Sequence, residues 1–235
     1  MRIAIMQPYF FPYLGYWQLI NAVDVFVILD DVNYIKKGYI NSNSILVNND
    51  AYRFTIPLEK VSQNKLINET KLNFSSKDKE KFLKTISISY KKAPFFKKAY
   101  LIIERSILYD SNDLTDYIKY SIEQVKEYLG ITTDIIFSSK IKKDNTLKAQ
   151  ERIIEINKKL GATVYINAIG GRCLYNKADF QRNRIELKFI EMKKFEYEQF
   201  KNNFVPNLSI IDVLMFNSVD SIKHLLNQYT LHLGK

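Results

Sequence analysis

With 235 residues, of which 46% are hydrophobic and 14% aromatic, the chain holds enough apolar material for one sizeable core and is not a disordered polypeptide. Its apolar runs are too short to span a bilayer, Met1-Arg2 leads straight into a strand with no signal peptide, and the single Cys173 excludes a disulfide framework or a cysteine-based zinc site, so a cytoplasmic protein without membrane insertion is expected. The formal charge of +10 raises nucleic acid as a partner, but no recognition helix, zinc module or aromatic RNA-binding signature accompanies the scattered lysines; the charge is read as a basic face or a site for phosphorylated small molecules.

In chain order, a strand is expected over 2–6, a helix over 13–22 and a strand over 25–29, a βαβ-like opening. An irregular loop is expected over 30–44, then a half-buried strand at 52–56 and a short strand near 66–74. Ser75-Ser76-Lys77-Asp78 matches a capping box, and Phe82, Ile86 and Tyr90 recur at helical spacing until Pro94 breaks the helix. Helices follow at about 95–108 and 113–129, the latter closed by Gly130. Beyond them lie a strand over 134–137, a helix over 146–160 ended by Gly161, and a strand over 163–167. A Gly170-Gly171 turn, a short helix near 176–183 and a strand over 185–190 come next. Two short helices near 209–216 and 219–229 finish the chain, with Ser209 as cap and Asp212 in the matching position three residues on. Lone Cys173 is read as packing.

The most distinctive segment is Gln7-Pro8-Tyr9-Phe10-Phe11-Pro12-Tyr13-Leu14-Gly15-Tyr16, a strand-to-helix turn stiffened by two prolines. Open α/β sheets bind ligands at the carboxyl ends of their strands, so the segment points to a site, although aromatics simply packing a turn would look the same. Tyr13-Leu14-Gly15-Tyr16 has the position and spacing of the His-x-Gly-His signature of nucleotidyltransferases and aminoacyl-tRNA synthetases, with tyrosine replacing both histidines. Asp30-Asp31 ends the next apolar strand. Carboxylates there bind ribose or Mg²⁺, or act as a base, but the pair also fits a solvated turn. The loop that follows carries Lys36, Lys37, Asn41 and Asn43, a mixture suited to phosphate and sugar. Ser138-Ser139 and Gly170-Gly171 stand at two later strand ends, where backbone N–H groups can approach an anion. Gly-x-Gly-x-x-Gly and Walker A loops are absent, and His224 and His232 are the only histidines.

These segments, with Leu29-Asp30-Asp31-Val32, Asn41-Ser42-Asn43, Tyr90-Lys91-Lys92-Ala93-Pro94-Phe95-Phe96 and Leu208-Ser209-Ile210-Ile211-Asp212-Val213-Leu214, resemble the WbqC-like family over nearly the whole chain. Where that family pattern often has Arg inside Asn-x-Asn, this chain has Ser42. The resemblance implies a role in O-antigen or other surface-polysaccharide biosynthesis, decorating a nucleotide-activated amino sugar, for instance with a glycyl group. The expected architecture is one α/β domain over 1–235: a Rossmann-like, mostly parallel sheet with helices on both faces, a nucleotidyltransferase-like strand–turn–helix start, and a central helical insertion at about 76–129 that is either a mobile cover over the strand ends or a fixed packing layer. The expected chemistry is amide formation by acyl or aminoacyl transfer. Gln7, Pro8, Tyr9, Tyr13, Gly15, Tyr16, Asn41, Asn43, Ser138, Ser139, Gly170 and Gly171 would bind substrate or nucleotide. Asp30, Asp31, Lys36 and Lys37 would be catalytic, with ATP and Mg²⁺ as candidate cofactors. A metal-dependent glycosyltransferase and a non-catalytic nucleotide-sugar-binding protein are the alternatives, and the oligomeric state is left open.

Overall fold

Alternation along the first strand sets the architecture. In β1 (Arg2–Met6) the side chains of Ile3 and Ile5 join one buried cluster while Ala4 joins another, because successive residues of a strand point to opposite faces. Each face therefore needs a helical cover. The computed structural model, which describes residues 1–200 and 203–234, supplies both.

After β1 come α1 (Leu14–Asn21), β2 (Val25–Ile28), the hairpin β3 (Ser42–Val47) and β4 (Asp50–Thr55), then α2 (Ser76–Tyr90), α3 (Phe96–Leu108) and α4 (Leu114–Leu129). The chain continues through β5 (Asp134–Phe137), α5 (Ala149–Lys159), β6 (Val164–Ala168), α6 (Lys177–Arg182) and β7 (Glu186–Met192). It ends with α7 (Ile210–Phe216), α8 (Val219–Leu226) and β8 (Tyr229–Leu233). The main sheet has the order β5-β2-β1-β6-β7-β8, parallel throughout except for the antiparallel edge strand β8. From β1 the chain steps outward to β2 and β5, then restarts on the other side with β6 and β7. That reversal beside β1 is the topological switch point of a Rossmann-like sheet, as expected. Helices α1, α2, α3, α4, α7 and α8 share the larger core on one face. On the other, Ile153, Ile154 and Ile156 of α5 and Phe180 of α6 pack on Ile3, Ile5 and Val27.

Local chemistry explains where the elements stop. Ser75 and Asp78 exchange side-chain bonds with each other's backbone N–H at the start of α2, and Gly130 closes α4 in a left-handed conformation at φ 67°. Asn48 and Asn49, both at positive φ, form the tight turn between β3 and β4.

Several expectations are corrected. The loop expected over 30–44 gives way at Ser42 to β3, which pairs with β4 in a separate two-stranded sheet. The expected strand near 66–74 is a 3-10 turn at Ile67–Glu69 flanked by isolated bridges, among them Leu58 with Leu72. The Gly170-Gly171 turn lies within a 3-10 helix, Ile169–Leu174. The last helix ends at Leu226, and the chain adds β8 to the sheet. Cys173 is exposed rather than packed. Asp212 does not complete a capping box; it is buried and accepts bonds from Tyr90 (2.9 Å), Tyr197 (2.6 Å) and Gln199 (2.7 Å). The central helices pack into the main core, where Ile86, Tyr90, Ile103, Tyr117, Ile122 and Val125 are completely buried.

Candidate functional site

Parallel pairing puts the carboxyl ends of β1, β2, β5 and β6 on one edge of the sheet. That edge gathers Gln7, Asp30, Asp31, Ser138, Ser139, Gly170 and Gly171. Gln7-Pro8 and Ile169-Gly170 flank the switch point between β1 and β6.

At the β2–β5 corner both aspartates are held by neighbouring groups. Asp30, only 2% exposed, accepts the Ser139 backbone N–H at 2.9 Å, the Ser139 hydroxyl at 2.5 Å and the Asn68 amide at 3.5 Å. Asp31 Oδ2 is shared by Lys143 at 2.6 Å and Arg152 at 2.7 Å. The Lys143 ammonium, itself buried, also donates to the Ser138 carbonyl. Burial by itself would push the Asp31 carboxyl up. The Lys143 hydrogen bond, the facing Ser138 hydroxyl and the charges of Lys143 and Arg152 outweigh it and hold the group below the usual carboxylate range. Ser138 Oγ exerts this influence without reaching hydrogen-bonding geometry.

These residues do not fit a divalent cation. Both Asp30 oxygens already accept bonds, and the one unpartnered oxygen, Asp31 Oδ1, is enclosed beside an ammonium and a guanidinium that would repel the ion. Among the described residues no three His, Cys, Asp or Glu side chains come together as metal ligands. Lys143 and Arg152, which complete this corner, lie more than a hundred residues from Asp31, and no local pattern marks them.

The aromatic turn is bolted from several directions. The Phe11 carbonyl accepts from Asn43 Nδ2 and Ser209 Oγ, both at 2.7 Å, Trp17 Nε1 donates to the Pro12 carbonyl at 3.1 Å, and Tyr16 OH donates to the Gln7 carbonyl at 2.9 Å. Asn43 and Tyr16 thus shape the turn from inside. Tyr9 and Tyr13 are half-buried, and the Tyr9 ring stands 5.4 Å from that of Tyr16 and 5.9 Å from that of exposed Tyr39. Burial, followed by the neighbouring phenols, pushes both Tyr9 and Tyr13 up, so they stay neutral and able to donate. Gly15 has a definite role: a Cβ there would sit 2.5 Å from Cε2 of Tyr13. The glycine leaves room for the chain's own tyrosine over the start of α1, in the space that a ligand was expected to enter.

The third group surrounds the loop after β2. Lys36, Lys37 and Arg53, with Tyr34, Asn41, Ser42, Thr55 and Val61, line a cleft of about 490 Å³ that contains no carboxylate. Asn41 is committed to the fold, accepting from Tyr34 OH and donating to the Ile56 carbonyl, each at 2.7 Å. Arg53 was invisible in the sequence, an exposed position of an alternating strand like many others. Gly170, where a Cβ would meet nothing within 4 Å, and Gly171, 3.2 Å from Asn167 Oδ1 by the same measure, belong to none of the three groups.

The family model described as the WbqC-like protein family matches residues 7–224. The chain is also similar to an uncharacterized protein of Mycobacterium tuberculosis, Rv1507c, with 25% identity over 219 residues that cover 92% of this chain and 93% of that one. No solved structure matches.

Proposed function

This chain belongs to the WbqC-like protein family, and from that premise we propose that it forms an amide on a nucleotide-linked amino sugar during surface-polysaccharide biosynthesis. The observation that carries the reading is the reversal of strand order beside β1, with the rigid tyrosine-rich turn at its carboxyl end, since doubly wound sheets bind their ligands there. Tyr9 and Tyr13, as neutral phenols, are suited to hydroxyl groups of a sugar, while Lys36 and Lys37 are suited to phosphate. Gln7, Pro8 and the Gly170-Gly171 segment follow the carboxyl ends of β1 and β6, beside the switch point.

The acyl group arrives already activated, as a thioester or an acyl phosphate. The sugar amine attacks the acyl carbonyl, a C–N bond forms, the C–S or C–O bond breaks, and the amine proton departs to solvent with the leaving group. Proximity and orientation supply most of what such an aminolysis needs. No step is routed through Mg²⁺, because the aspartate corner does not fit it; Asp30 and Asp31 are positioning residues that hold the 138–152 segment against β2. This weighs against a metal-dependent glycosyltransferase.

Mass spectrometry tests the reading. The chain is incubated with a panel of nucleotide amino sugars, with acyl thioesters in one arm and with ATP, Mg²⁺ and amino acids in another. An intact sugar nucleotide carrying one added acyl group is the expected product of the thioester arm, and product from the ATP arm alone would show that the chain activates the acyl group itself. Release of free nucleoside diphosphate would show glycosyl transfer instead, and bound but unchanged sugar nucleotide in every arm would show a binding protein without turnover.

A further inference from the structure

The cleft beside the β3–β4 hairpin is lined by charge of one sign. Among the described residues its three charged lining residues, Lys36, Lys37 and Arg53, are all cationic. Three like charges lining one concave surface focus positive potential there. The loop that brings two of them there is held in an uncommon conformation, with Lys37 at φ 61°. Arg53 is loosely parked. Its Nη2 donates to the Gly38 carbonyl at 2.7 Å, and its guanidinium lies 5.5 Å from the centre of the Tyr39 ring. A neutral carbonyl and an exposed aromatic face are weaker partners for a guanidinium than a phosphate oxygen, which it grips through two parallel charge-assisted bonds. Tyr39 is 53% exposed, and it continues the Tyr16–Tyr9 series outward from the aromatic turn to Arg53.

We propose that Lys36, Lys37 and Arg53 clamp the diphosphate of a nucleotide and that Tyr39 stacks on its base. The proposal rests on the nucleotide-sugar reading above and deepens it. It places the diphosphate in the hairpin cleft and the base on Tyr39, which stands beside Arg53. Three cations match the two to three negative charges of a diphosphate, and stacking on a tyrosine tolerates any base.

Calorimetric titration of the full chain with uridine diphosphate, guanosine diphosphate, uridine and inorganic pyrophosphate tests it. Arg53 and Tyr39 are exposed, so Arg53→Met, Tyr39→Leu and Tyr39→Phe should fold, which the thermal midpoint checks; Lys97→Met on α3 is the control. Both diphosphates should bind, uridine far more weakly. Arg53→Met should weaken the diphosphates and pyrophosphate by at least about tenfold. Tyr39→Leu should weaken only the nucleotides, by about tenfold, with Tyr39→Phe restoring them. The proposal is overturned if the wild-type chain binds neither diphosphate, if Arg53→Met binds like Lys97→Met, or if Tyr39→Leu leaves nucleotide affinity intact. The product assay fails or succeeds separately. Acylated sugar nucleotide formed at the wild-type rate by Arg53→Met would keep the function and remove the clamp, whereas nucleotide binding lost in Arg53→Met with no product from any panel member would keep the clamp and remove the acyl transfer.

Discussion

Asp31 is the residue at which sequence reasoning and structure part most sharply. Two adjacent carboxylates at a strand end look like a base or a metal site, yet Asp31 lies between Lys143 and Arg152, which come from beyond β5 and from α5. An ion pair across such a separation leaves no trace in a single sequence, whereas the position of the pair at a strand end was legible. The structural role has its own consequence. Asp31→Asn keeps the shape but leaves the buried Lys143 ammonium without its counter-charge, and breaking a buried pair in this way costs about 3 kcal/mol or more. Equilibrium denaturation at neutral pH should show that loss. The pH dependence has a definite sign. The folded carboxyl is held below its unfolded value, so its contribution is complete above the ordinary carboxylate pKa of about 4 and disappears as pH falls through the lower folded value. The stability difference between wild type and Asp31→Asn should therefore shrink on acidification. A variant as stable as wild type at pH 7 would show that the pair contributes nothing.

At the scale of elements, the helices and buried strands were readable because each carries a local cause: the Ser75–Asp78 box, Gly130 at positive φ, and apolar residues at helical or alternating spacing. The two missed strands lack one. β3 opens with Ser42, Asn43 and Ser44, polar residues held there by pairing with β4, and β8 is a largely exposed edge whose existence depends on β7. The role of α2 to α4 also depended on distant partners. Tyr90 at the end of α2 accepts the Leu46 N–H of β3 at 2.7 Å and donates to Asp212 of α7 at 2.9 Å, so one hydroxyl ties three elements together. Burial pushes the Asp212 carboxyl up in spite of the bonds from Tyr197, Gln199 and Tyr90, so its contribution has the opposite pH dependence to that of Asp31 and is fully present only at low pH. Lifting these helices would expose the core. Amides of α2, α3 and α4 should therefore exchange with protection within about tenfold of those in β1 and β2, with or without a nucleotide sugar. Faster exchange around residues 88–98 in the empty protein, slowed by ligand, would restore the mobile cover.

For the whole molecule, the question is what a charge of +10 is for. A nucleic-acid binder concentrates its cations along a groove-sized surface, and its affinity then falls steeply with salt as counterions are released. Here some lysines are paired with acids, as in Lys119–Glu123, Lys126–Glu123 and Lys159–Glu155, or buried, as Lys143 is. The hairpin cleft is instead a small concave region of one sign, about 490 Å³ in volume, a size for a nucleotide rather than a helix. Ionic strength separates the two uses. Uridine diphosphate should lose affinity by only a few-fold between 0.05 and 0.2 M salt (about the range over which a multi-phosphate contact loses a thousandfold or more), because it engages three cations. A duplex or single-stranded oligonucleotide should bind weakly, without sequence preference, and be released across the same range. Electrophoretic mobility shifts and calorimetry on the same preparation read both. An oligonucleotide bound tightly at 0.2 M salt, and displacing the diphosphate, would identify the basic surface as a nucleic-acid interface and remove the small-anion assignment on which the clamp depends.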